Sequence, residues 1–186
     1  MLKKARGFTL IELLIVVAII GILAALLIPN AITAMQKSKQ KATMKDITTI
    51  GTAITDYVTD NGQAPTHTGG AYAATDTFYG DLCPFYVKVL PTRDKWSNSY
   101  LVWTGTDVGS NTFGITGAEI TNAGLDDWVA GSTGRNTDID WTYDTTNLEN
   151  NFYIVGENGI VDFDNELVMW DGNWVIGPRT YTVSGS

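Results

Sequence analysis

Residues 8–28 read FTLIELLIVVAIIGILAALLI, and from position 13 to 28 no side chain is polar. As a helix rising about 1.5 Å per residue, the stretch is about 31 Å long. That matches a bilayer's hydrocarbon thickness of about 30 Å. The pattern therefore predicts a membrane-crossing helix. One residue is out of place in it. Glu12 lies near one end of the run, where a carboxylate costs about 2.5–3.5 kcal/mol at bilayer centre. An acid in that position calls for a partner.

A cut between Gly7 and Phe8 would create one. The new α-amino group of Phe8 would be a cation four residues from Glu12, the spacing at which helical neighbours meet. The same amine on one subunit can equally pair with Glu12 of the next. Two plainer readings stand beside this one. A secretory signal peptide also has a basic start and an apolar core, but it needs a small-residue cleavage site after Ile28. Pro29-Asn30-Ala31-Ile32-Thr33-Ala34 supplies a poor one, and Glu12 stays unexplained. An uncleaved anchor on a periplasmic domain is the other.

The segment KKARG-FTLIELLIVVAIIGILAALLIPN resembles the prepilin signature of type IV pilins and type II secretion pseudopilins. The resemblance implies that a prepilin peptidase cuts after Gly7 and methylates Phe8. It makes Glu12 the assembly glutamate and Pro29 the helix-kinking proline. It further implies a homopolymer with minor pilins or pseudopilins, an inner-membrane assembly platform, and residence in membrane lipid before assembly. The division it suggests is a leader at 1–7, a transmembrane and assembly helix at 8–29, an amphipathic helix at 30–62 and a head at 63–186.

Charge is segregated along the chain. The first 45 residues carry seven Lys or Arg and one acid, whereas residues 46–186 carry five against nineteen, for a net charge of −8. Basic residues ahead of the apolar run hold that end in the cytoplasm, so the acidic part is expected in the periplasm. Nucleic-acid binding needs Lys and Arg to displace counterions, and the acidic part does not offer them. Cys83 is the single cysteine. It makes no internal disulfide and reads as a small buried hydrophobe.

Past Pro29 the pattern stays helical. Met44, Ile47, Ile50, Ile54, Tyr57 and Val58 recur at the three-to-four spacing of one buried stripe. Proline removes a backbone donor and crowds the preceding turn, so a kink or local melting is expected at Pro29. Asn61 and Gly62 read as the helix stop. The basic cluster Lys37, Lys39, Lys41 and Lys45 reads as a solvated face, or as contact with acidic headgroups or a neighbouring subunit. Residues 63–95 read as loop with a short helical turn among Phe78, Tyr79, Leu82, Phe85, Tyr86 and Val87, and His67 as exposed. Strands are expected at 100–104, 151–155, 167–170 and 173–176, the last two joined at Asp171 and Gly172 by a two-residue hairpin turn. An edge strand at 180–183 is also expected. Residues 104–150 read as a decorated loop with short strands near 113–120 and 140–143. The fold class is α+β, a long helix packed on a small antiparallel sheet.

Lys41-Ala-Thr-Met-Lys-Asp-Ile, Tyr57 to Pro65 (YVTDNGQAP), and Leu90-Pro91 with Asp94-Lys-Trp96-Ser-Asn98-Ser-Tyr100 resemble the major pseudopilin of type II secretion, with Lys95 and Ser99 where prolines are usual. Some forty residues between Trp103 and Asn151 are additional to that compact family. Asn158, Asp162, Asp164, Asn165 and Glu166 form a cluster of oxygen ligands of the kind calcium takes. The resemblance implies Val155 (through its carbonyl), Asn158, Asp162 and Asp164 as the calcium set, and an acidic solvated turn is the plain alternative. An enzyme would have only paired carboxylates to use, Asp126 with Asp127 or Asp138 with Asp140. A membrane-anchored binding module is a third class. The reading is a non-enzymatic filament subunit, a type II secretion major pseudopilin, with a type IV pilin of a surface pilus as the alternative.

Overall fold

A computed structural model describes residues 8–115, 120, 122–139, 143–144, 147–155 and 159–179. The chain divides into two compact units, Met1–Gln36 and Lys37–Ser186. The first helix, α1, spans Leu10–Asn61 and runs through both.

In the first unit α1 is apolar all round. None of its most apolar stretch is buried by the protein. Leu10, Ile11, Ile22 and Leu26 are each exposed by more than three-fifths. A helix greasy on every side is covered by lipid or by other helices. The helix is continuous through Pro29, so the local melting expected there does not occur. One turn earlier, the Leu26 carbonyl accepts the Asn30 side-chain N–H at 3.3 Å, and Thr33 donates to the Pro29 carbonyl at 3.1 Å.

The larger unit is built on a six-stranded sheet. The strands are β1 (Gly70–Ala71), β2 (Leu101–Thr104), β3 (Trp128–Ser132), β4 (Phe152–Ile154), β5 (Leu167–Trp170) and β6 (Asn173–Arg179). Their spatial order is β1-β2-β3-β5-β6-β4. All pairings are antiparallel except β4 with β6, which is parallel. The sheet is therefore mixed, where a purely antiparallel one was expected. The tight β5–β6 hairpin places its return strand between β5 and β4, so β4 ends beside a strand running its own way.

The second half of α1 packs on one face of this sheet. Ile47, Ile50 and Ile54 are fully buried against Tyr100, Val102, Trp128, Ala130, Leu167 and Met169. Met44, Tyr57 and Val58 flank them, completing the stripe read from the sequence. The helix stops as expected: Gly62 takes φ +70° and its N–H reaches the Val58 carbonyl at 2.7 Å. The short helix α2, Thr77–Leu82, adds Phe78 and Leu82 to the same core.

The opposite face is covered by the additional segment. Val108, Phe113, Ile115 and Ile120 pack on Trp103, Val129, Val168 and Ile176. This corrects the expectation of a decorated loop. The segment supplies β3, a central strand buried along its whole length, and the second core. Phe113 lies so close to Gly131 that a Cβ there would stand 2.6 Å from the ring. Positions 116–119 of the strand expected at 113–120, and positions 140–142 of that at 140–143, lie outside the described residues, as does the edge at 180–183; the described positions 113–115 are not in a strand.

Candidate functional site

The start of α1 is a reciprocal cap. Thr9 precedes the first helical residue and Glu12 is the third within the helix. The Glu12 Oε2 accepts the Thr9 backbone N–H and the Thr9 hydroxyl, each at 2.8 Å. In return the Glu12 N–H donates to Thr9 Oγ1 at 3.3 Å. A threonine followed three residues later by glutamate is a capping box, which satisfies two of the donors that a helix start leaves open. The membrane cost of Glu12 does not reveal this partner, although Thr-x-x-Glu before an apolar run is its signature in the sequence. Glu12 is thus partnered within its own chain, and Phe8, the residue before Thr9, is three-quarters exposed. Gly7 lies outside the described residues.

The second candidate is the acidic turn after β4. A 3-10 turn at Gly159–Phe163 leads into it, and Asp162 and Glu166 are buried. Val155 is half-buried, and Asn158 lies outside the described residues. Asp164 is committed to a cation of the protein itself. Arg135 Nε donates to Asp164 Oδ1 at 2.6 Å and Nη2 donates to Oδ2 at 2.8 Å. Among the described residues no group of three or more His, Cys, Asp or Glu is placed to hold a metal ion. Calcium ligands must aim their oxygen lone pairs at one ion from 2.3–2.6 Å. Both Asp164 oxygens already hold a guanidinium, so a calcium ion on them would sit against a like charge, which disfavours Asp164 in that role.

His67 is half-buried rather than exposed: its ring lies 5.0 Å from that of Phe78, and Nε2 is 3.2 Å from the Gly70 carbonyl. Cys83 is half-buried against the main core. Asp127 accepts the Gly124 N–H at 2.7 Å. Asp138 is exposed, and Asp140 lies outside the described residues. Of the basic cluster, Lys37, Lys41 and Lys45 are exposed and Lys39 half-buried.

The apolar, capped start of α1 coincides with a known family pattern. Residues 2–28 match the family model described as "Prokaryotic N-terminal methylation motif". The chain is 32% identical over 138 residues to type II secretion system core protein G of Vibrio cholerae serotype O1, an alignment covering 68% of this chain and 94% of the relative. The chain belongs to the type II secretion core protein G family, the major pseudopilins. The protein of the same name from Aeromonas hydrophila is 31% identical over 143 residues, covering 74% of this chain and 92% of the relative. That from Escherichia coli (strain K12) is 34% identical over 107 residues, covering 53% and 72%. No solved structure matches the chain. As a pseudopilin, the protein has the α+β arrangement of its class, with a long apolar N-terminal helix and a small sheet.

Proposed function

We infer that the chain is the repeating structural subunit of a type II secretion pseudopilus, cut between Gly7 and Phe8 and held in the inner membrane by residues 8–29 until it assembles. Prepilin peptidase would make the cut and methylate Phe8. Minor pseudopilins and an inner-membrane platform are the other partners, and the larger unit faces the periplasm. The single observation that carries this reading is the Glu12 carboxylate at the exposed, apolar start of α1, held by Thr9 and four residues from Phe8.

The physics of assembly follows from that start. Moving an apolar helix from lipid into a bundle of like helices has little hydrophobic drive, because lipid tails are as apolar as leucine. Register must come from packing and from polar groups. Glu12 uses one oxygen on Thr9. A carboxylate has lone pairs to spare, so it can keep its cap while accepting the Phe8 ammonium of a neighbouring subunit. A head-to-tail contact of this kind does not close, and it generates a helix rather than a ring.

Glu12→Gln separates the two roles. Glutamine serves a capping box as glutamate does, but it carries no charge. The expected outcome is normal processing and membrane insertion with filaments reduced at least tenfold in a sedimentation assay. Filaments at wild-type yield from Glu12→Gln would show that only the cap matters.

A further inference from the structure

We propose that Arg135 occupies the structural place of a metal cation at the acidic turn after β4, so that this pseudopilin folds and holds its shape without a divalent ion. The turn gathers Asp162, Asp164 and Glu166 within five residues of one another. Such a turn needs positive charge to offset their repulsion. Arg135 brings it from the segment that is additional to the compact family, three residues beyond the end of β3.

The geometry ties two distant stretches together by more than one bond. The guanidinium grips both Asp164 oxygens at 2.6 and 2.8 Å, the bidentate arrangement in which an ion pair gains direction as well as charge. The Arg135 backbone N–H donates to the Phe163 carbonyl at 2.7 Å. Gly134, at φ +76°, brings the backbone so close that a Cβ would stand 2.5 Å from the Asn165 carbonyl oxygen and 2.6 Å from that of Asp164. Asn98 Nδ2 lies 2.8 Å from both the Gly134 and Asn136 carbonyls and braces the turn from the other side. The pair is only partly shielded, with side-chain exposures of 35% and 16%, so its strength lies in this bracing more than in bare Coulomb attraction. A calcium ion on Asp164 would have to sit against the positive charge of a guanidinium that the backbone holds in position.

The test uses the full mature protein in detergent micelles, melted in calcium and in excess EGTA, beside the variant Arg135→Gln. The wild-type midpoint is expected to be the same in both buffers, and titration with calcium chloride is expected to give no binding heat. Arg135→Gln is expected to melt about 3–8 °C lower in EGTA, as loss of a charge-assisted bidentate contact in a domain of this size implies. A wild-type midpoint that falls in EGTA, or saturable calcium binding by the wild type, would overturn the proposal. So would an Arg135→Gln midpoint equal to wild type. The wild-type arms decide the matter even if the variant does not fold.

Discussion

Gly51 of α1 and Trp128 of β3 meet with no room between them: a Cβ at position 51 would lie 2.3 Å from Cη2 of the indole. Trp128 is 2% exposed and hydrogen-bonded through its backbone to Asp171, at 2.8 Å from its N–H and 3.1 Å to its carbonyl. The ring has nowhere to retreat. The distance from helix to sheet is therefore set by the absence of a side chain at position 51.

Gly51→Ala pits two effects against each other. Alanine is worth about 1 kcal/mol over glycine in a helix interior. Forcing a methyl into an occupied core costs about 1–3 kcal/mol, and more where the neighbour cannot move. At 2.3 Å the second wins, so the midpoint of thermal unfolding is expected to fall by about 2–6 °C. A midpoint at or above wild type would mean that the helix can lift away from Trp128 at no cost.

Ser97 sits at φ 77° in the tight turn between Asp94 and Tyr100, a conformation that costs an L-residue about 1–2 kcal/mol. The turn imposes it. Asp94, buried, accepts the N–H groups of Trp96 at 2.9 Å and Asn98 at 2.8 Å on one oxygen, and the Ser132 hydroxyl at 2.7 Å on the other. Ser97→Gly removes the steric strain but makes the unfolded chain more flexible, which returns part of the gain. A net stabilisation of about 0.5–1 kcal/mol is expected in urea titration. Loss of stability would show that the serine side chain contributes more than its backbone costs.

Asp171 takes φ 44° and Gly172 φ 84° at the tip of the β5–β6 hairpin. Although the residue as a whole is exposed at the turn, partial burial of its carboxyl, and after it the charges of Asp127 and Asp126, push its pKa up to about 6. Between about pH 4 and pH 6 the folded state therefore holds a proton that the unfolded state has released, so this group's contribution falls as pH rises through that window. Asp171→Asn keeps the acceptor for the Trp128 N–H and also suits the turn. Its melting midpoint is expected to exceed wild type at pH 7.5 and to converge with it below about pH 4. A variant less stable than wild type at pH 7.5 would contradict this reading.

Where local pattern carries the information, the sequence was legible. The apolar run, the isoleucine stripe of α1, the stop at Asn61 and Gly62, and the Asp171-Gly172 turn each depend on residues close in the chain. The central strand β3 was not legible, because Ala130 and Gly131 look like loop residues in isolation. They are small because the α1 core presses on one side of the strand and Phe113 on the other. The Arg135–Asp164 pair joins residues 29 apart, and nothing local to either announces it. The parallel position of β4 is likewise a matter of strand order, which periodicity does not encode.

The central claim is that proteolysis gives Glu12 its second partner. Intact-mass and N-terminal fragment spectra of the protein from isolated filaments test it most directly. The account predicts a chain beginning at Phe8, with one methyl group on its α-nitrogen and residues 1–7 gone. A chain that retains those residues, or one cut beyond Asn30, would contradict it.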